Sequence, residues 1–297
     1  MHLVASNLIL SAIAGVGAVS FPDPSGPHPV AIQAAAMGLS NETFAELIMG
    51  VCDIASIKGY SSKLKSTHNI ARLIASRGYV VITVDHPYDT AVVEFPDGSI
   101  IETADIPEKE DDLTKLTKVR AEDLSFGLPR KINFDNIVVY GHSLGGSSAA
   151  VAMLSDSRFR SGANLDGRFV KPALSKGPKQ PFLMLGRPNH RTEDATWVTF
   201  WKNLRGPKAE LAVAGIVHGA FTDVPLLITA LGLPTEVKAQ ISSIISTIDA
   251  QQLEKVLIKT LTSFFTYAFD GKPKPFIKAV QAISELSIVN SQLPNRS

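Results

Sequence analysis

The segment NIVVYGHSLGG, residues 136–146, constrains this chain more than any other stretch. An apolar run ends on Gly141-His142-Ser143-Leu144-Gly145, and small residues follow at once: Gly146, Ser147, Ser148, Ala149 and Ala150. The spacing G-x-S-x-G, after a strand and before a helix, predicts a sharp strand-to-helix turn with the serine at its apex. Glycine is expected on both sides because a Cβ there would run into the neighbouring strand and helix. The turn lifts the Ser143 hydroxyl out of the sheet. It also aims the first helical N–H groups, that of Leu144 among them, at incoming negative charge. Adjacent positions on a turn seldom face each other, so His142 reads as a packing residue beside the site.

The rest of the chain fits that turn. Short apolar runs alternate with segments of helical length, the pattern of a parallel sheet with crossover helices. Strands are expected at Tyr79–Asp85, Ile137–Tyr140, Phe182–Leu185 and Leu211–Val217, with a further short one ending at Leu165. Their continuous Val, Ile and Leu content suits strands buried on both faces. Helices are expected at Asn69–Ser76, Gly146–Leu154, Asp194–Leu204 and Ala250–Phe269, the last stopped by Gly271 and Pro273. Pro96-Asp97-Gly98 marks a turn, and Glu108–Asp112 (EKEDD) reads as a solvated stretch. With no repeat and no clean linker, the reading is a single α/β domain over 21–297, a mostly parallel central sheet flanked by helices.

Composition narrows the function classes. The 297 residues carry a net charge of +1, so no strong field is available to draw in nucleic acid. The one cysteine, Cys52, excludes an intramolecular disulfide and any cysteine-based zinc site; Cys52 itself reads as a small buried apolar residue. The first twenty residues, MHLVASNLILSAIAGVGAVS, are nearly all apolar or small, with Ala18 and Ser20 placed as before a cleavage point. They read as a signal peptide at 1–20, which implies a secreted protein.

A serine hydroxyl needs a base, being a weak nucleophile at its free pKa. Where the order is serine, acid, histidine, only His190 and His218 follow Ser143. His218 comes directly after an apolar run, at the strand edge where catalytic groups gather in an open α/β sheet. His190 lies in a polar loop and reads as surface. For the acid, Asp166 and Asp194 both remain open, since the group need only reach the far imidazole nitrogen and fix its tautomer.

These residues resemble a known family. The GHSLGG elbow, the aspartate of NLDG, the HGAFTD segment with His218, Phe221 and Asp223, and the stretch IASRGYVVITVDHPYD are similar to the platelet-activating-factor acetylhydrolases of the α/β-hydrolase superfamily, including the fungal-type 1-alkyl-2-acetylglycerophosphocholine esterases. The resemblance spans roughly residues 60–270. It implies an α/β-hydrolase fold with Ser143 as nucleophile, His218 as base and Asp166, 23 residues after the serine, as its orienting acid. It implies a carboxylic ester hydrolase that removes short acyl groups from glycerophospholipids, with no cofactor and no metal ion. The partner is then a small-molecule or lipid ester, with transient contact at a lipid interface.

One stretch departs from the family pattern. The second oxyanion donor is expected after an earlier strand, but that region, LIMGVCDIASIKGYSS, has Gly50 as its one glycine near the turn. The amide of Leu144 and one from residues 50–56 are the expected pair, and losing one donor costs about 100- to 1,000-fold in turnover. Two alternatives follow: a general carboxylesterase or polyester hydrolase on the same scaffold, and an inactive hydrolase-like protein that binds lipid. The helix at 250–269, with Leu253, Val256, Leu257, Phe264 and Phe265, either packs on the sheet or touches lipid.

Overall fold

The computed structural model describes residues 16–21, 30–35, 46–51, 68–86, 92–94, 99–102, 109–128, 136–232, 234–240 and 246–295. In chain order the strands are β1 (Val16–Phe21), β2 (Val30–Ala35), β3 (Glu46–Val51), β4 (Val80–Asp85), β5 (Val92–Glu94), β6 (Ile100–Glu102), β7 (Asn136–His142), β8 (Phe159–Leu165), β9 (Phe182–Gly186), β10 (Lys208–Val213) and β11 (Leu286–Gln292). The helices are α1 (His68–Ala75), α2 (Glu110–Gly127), α3 (Leu144–Ser155), α4 (Ala173–Lys176), α5 (His190–Glu193), α6 (Ala195–Asn203), α7 (Val224–Ala230), α8 (Thr235–Gln240), α9 (Ala250–Asp270) and α10 (Pro273–Gln281).

Among the described residues, nine strands form one sheet in the order β1-β2-β4-β3-β7-β8-β9-β10-β11. The six strands from β4 to β10 pair in parallel. Only the edges are antiparallel, with β1 on β2, β2 on β4, and β11 on β10. The small pair β5 and β6 stands apart as a two-stranded ribbon. Parallel strands need crossover helices, and those helices cover both faces.

The side chains of the central strands record that double burial. Val81, Val138, Tyr140, Leu183 and Leu185 join a core with α1, α9 and α10. Their neighbours Val80, Ile82, Val84, Ile137, Val139, Phe182 and Met184 join a second core with α2, α3 and α6. The period of two along each strand therefore feeds two cores, so the runs are apolar almost throughout, with Thr83 a buried polar exception in β4.

Helix α9 shows why its sequence reads so clearly. Asp249 accepts hydrogen bonds from the amides of Gln251 and Gln252, and Gly271 closes the other end at φ 73°. That is a side-chain N-cap followed by a left-handed C-cap. Leu253, Val256, Leu257, Phe264 and Phe265 are all buried in the first core, so this helix packs on the sheet.

Several expectations need correction. Strand β10 runs Lys208–Val213, not Leu211–Val217. Two of its first three residues, Lys208 and Glu210, are charged, and each is buried against a partner. Lys208 Nζ donates to the carbonyls of Trp201 and Leu204, at the end of α6. Glu210 Oε2 accepts from Arg191 and from Asn290 on β11. The acidic stretch is solvated as expected, with Lys109, Glu110 and Asp111 exposed, but it also opens the 18-residue helix α2, whose dipole favours negative charge in its first turn. The Pro96-Asp97-Gly98 turn and Cys52 lie outside the described residues. So do the first fifteen residues of the expected signal peptide, while Val16–Ser20 fall in β1.

Phe200 is fully buried, stacked on Phe169 with centroids 3.6 Å apart and edge-on to Phe182. We expect F200A to cost about 3–5 kcal/mol, read as a lower urea midpoint at unchanged slope. Ile288 on edge strand β11 is 37% exposed, and I288A should stay within about 0.5 kcal/mol.

Candidate active site

Strand β7 delivers Ser143 to the sheet edge, and α3 starts at the next residue. The serine has φ 54° and ψ −130°, a conformation that non-glycine residues rarely adopt. Surrounding packing holds it there. A Cβ on Gly141 would overlap the backbone of Gly145, and one on Gly146 would overlap the side chain of Asn164. The Ser143 amide donates to the Leu165 carbonyl at 3.0 Å, and the Ser143 carbonyl accepts from Gly146 at 3.0 Å. Leu144 is the first residue of α3, so its amide is among the four at a helix N-terminus with no intrahelical acceptor.

The next strand, β8, ends in a second tight turn. Asp166 sits at φ 56°, and its amide donates to the Leu185 carbonyl at 2.8 Å. Buried Asn164 clamps the turn: its Oδ1 accepts from the Gly167 amide at 2.7 Å and its Nδ2 donates to the Gly167 carbonyl at 2.9 Å. Trp197 Nε1 adds a second bond to that carbonyl at 2.8 Å. A Cβ on Gly167 would overlap the Ser143 carbonyl. The serine turn and the aspartate turn are thus packed backbone against backbone.

The imidazole of His218 bridges the two. It opens a 3-10 turn, His218–Phe221, shortly after β10. Its Nε2 is 3.1 Å from Ser143 Oγ and its Nδ1 is 2.7 Å from Asp166 Oδ2. With Nδ1–H donating to the carboxylate, neutral His218 leaves Nε2 free to accept the serine proton. The His218 side chain is 42% exposed, so this end of the constellation meets solvent. His142 Nε2 donates to the His218 carbonyl at 3.0 Å, and its ring lies 4.5 Å from that of His218 and 5.8 Å from Phe221. His142 packs beside the site as expected, and it also ties down the loop that carries His218.

Asp166 is 1% exposed. Burial alone would raise its pKa. The hydrogen bonds from His190 and His218, the charge of His190 and the Arg187 amide outweigh it, holding the carboxyl well below the usual carboxylate range.

The two open acid candidates now separate. Asp166 faces His218, whereas Asp194 caps α6 by accepting from the Thr196 amide. His190 is not a surface residue. It is 5% exposed, and its Nδ1 lies 2.5 Å from Asp166 Oδ1. Sequence reasoning missed this because a polar loop, RPNHRTED, carries no periodicity that would betray a buried histidine. On the oxyanion side, β3 ends at Val51, which pairs with Gly141 of the elbow strand. Residues 52–56 of the expected second-donor region lie outside the described residues.

Two tests follow from the packing. Alanine in place of a helical glycine ordinarily gains ~1 kcal/mol, but G146A should instead lose about 1–3 kcal/mol by overpacking against Asn164, as measured by urea unfolding. Asp166, with a depressed folded pKa, contributes stability that is present above its unfolded value near ~3.9 and lost as the pH falls through the lower folded value. The stability gap between wild type and D166N should therefore shrink as the pH drops below about 4.

Residues 118–265, which contain Ser143, Asp166 and His218, match the family model described as platelet-activating factor acetylhydrolase, isoform II. A protein of Arthroderma benhamiae named "Probable 1-alkyl-2-acetylglycerophosphocholine esterase" is 31% identical over 226 residues, covering 71% of this chain and 58% of its own length. The chain thus spans a little over half of that relative. Among solved structures, a ferulic acid esterase from Streptomyces cinnamoneus superposes with a TM-score of 0.72 at 25% identity, covering 97% of this chain and 99% of that one. Over residues 118–265 the chain is thus similar to the platelet-activating factor acetylhydrolases, and its mostly parallel sheet flanked by helices is that of the α/β-hydrolase fold.

Proposed function

We propose that the protein is a serine esterase that cleaves short acyl esters by two-step acyl transfer, with the acetyl group of platelet-activating-factor-like phospholipids as its substrate. The observation that carries this reading is the His218 ring, 3.1 Å from Ser143 Oγ on one side and 2.7 Å from Asp166 Oδ2 on the other. The choice of acetyl phospholipid is supported by the family match and by the name of the Arthroderma relative.

Ser143 Oγ attacks the ester carbonyl as His218 Nε2 takes its proton. Asp166 holds His218 in the required tautomer and stabilises the imidazolium that forms. The Leu144 amide receives the developing oxyanion, with a second donor from residues 50–56. His218 then gives its proton to the leaving alcohol, and a water activated by the same ring releases the acid from the acyl-enzyme. A second reading, a carboxylesterase of wider range, is favoured by the likeness to the Streptomyces ferulic acid esterase.

S143A should lower turnover of an acetyl ester by about 10⁴- to 10⁶-fold, and a fluorophosphonate probe should label wild type but not this variant. Undiminished turnover in S143A would sink the assignment, and no labelling of wild type would favour an inactive, lipid-binding protein. A panel of acetyl and longer acyl esters, with and without a phosphocholine head, separates the two substrate readings.

A further inference from the structure

Asp166 is engaged on both oxygens, and only one of its contacts reaches the serine. On Oδ2 it meets His218 Nδ1 at 2.7 Å and Arg187 Nη1 at 2.5 Å. On Oδ1 it meets the Arg187 amide at 2.9 Å and His190 Nδ1 at 2.5 Å. The His190 ring lies against Trp197, with centroids 4.1 Å apart, and its Nε2 is 3.5 Å from Asp194 Oδ2. Each ring nitrogen of His190 therefore faces a carboxylate. Arg187 Nη1 also lies 3.1 Å from Nδ1, but the Asp166 contact is the shorter at 2.5 Å and makes Nδ1 the donor; with Nε2 turned to the Asp194 carboxylate, only the imidazolium has an N–H at both positions.

We propose that His190 is a positioning residue, an imidazolium that clamps the Asp166 carboxylate from the side opposite His218 and offsets part of its negative charge. This rests on the esterase reading given above. Burial opposes the charge on His190, but the hydrogen bond to Asp166 and the nearby Asp194 carboxylate outweigh it and raise its pKa. The charged groups that face it are Asp166 at the end of β8, Arg187 in the turn after β9 and Asp194 at the start of α6. Glu193, on α5 with His190, is taken up by the Arg187 guanidinium.

The clamp has a geometric and an electrostatic effect. It fixes the carboxylate plane so that a lone pair of Oδ2 points at His218 Nδ1. With His190 and Arg187 both beside it, Asp166 stabilises the protonated form of His218 less than an unshared carboxylate would. Removing the His190 charge should move the acid limb of kcat/KM to higher pH.

The test compares wild type, H190A, H190N and S143A with one acetyl ester across pH. Asparagine keeps a donor near the Nδ1 position but carries no charge. H190A should lose about 10- to 100-fold in kcat from the misplaced acid. H190N should recover most of that loss while its acid limb lies at higher pH than in wild type. An acid limb that stays in place or moves down in H190N overturns the proposal. If S143A is inactive when that happens, His190 alone has been misread; an active S143A overturns the esterase reading and this proposal together. Should H190A fail to fold, ¹⁵N-histidine NMR of the wild type at pH 7 decides. Imidazolium shifts at both His190 nitrogens support the clamp, and a neutral pattern overturns it.

Discussion

A carboxylate removed from water must be compensated by the fold, because the effective penalty for burying an ion is several kcal/mol. Asp166 is that carboxylate here, and the order of the sheet around it follows from the need. Its own turn comes off β8. Its cationic partners, Arg187 and His190, come off the adjacent strand β9. The imidazole that reaches the serine comes off the strand after that, β10. Three neighbouring parallel strands thus deliver one anion and its compensating groups to the same rim, and parallel pairing sends all three C-terminal ends to the same side.

The serine is placed by packing of a different kind. Its strained backbone is fixed by short distances between main chains, and three glycines permit those distances. Gly141 lets β7 approach the first turn of α3, Gly146 lets α3 approach Asn164, and Gly167 lets the aspartate turn approach the Ser143 carbonyl. Asn164 is the pivot, since its amide closes the aspartate turn while its side chain lies where a Cβ of Gly146 would fall. A change in one turn is therefore felt in the other, and the Ser143–Asp166 spacing behaves as a property of the pair.

Sequence and structure agree wherever apolar residues set the pattern. The central strands β4, β7 and β9 were legible because both faces are buried, so their sequences are continuous apolar runs. Helix α9 was legible from its apolar face and from the glycine and proline beyond it. The elbow was legible because its glycines are sterically required at fixed spacing. What escaped were elements whose residues satisfy tertiary partners instead of a local rule. Strand β10 begins with Lys208 and Glu210, which look like loop residues until α6, Arg191 and Asn290 are placed around them. Edge strand β11 is mostly exposed and polar.

His190 is the sharpest case of that kind, and it bears on how the acid was chosen. The turn after β9 lies beside the turn after β8, with Leu165 and Leu185 directly paired, and from sequence either turn could have supplied the carboxylate. The structure divides the charges between them. The β8 turn carries the anion, and the β9 turn carries Arg187 and His190, while Asp194 is drawn away to cap α6 and to face the outer nitrogen of His190. A second carboxylate close to Asp166 would have raised both pKa values and left one of the pair protonated. Two cations in its place keep Asp166 ionised despite burial, which lets it hold His218 in one tautomer while remaining an acceptor throughout.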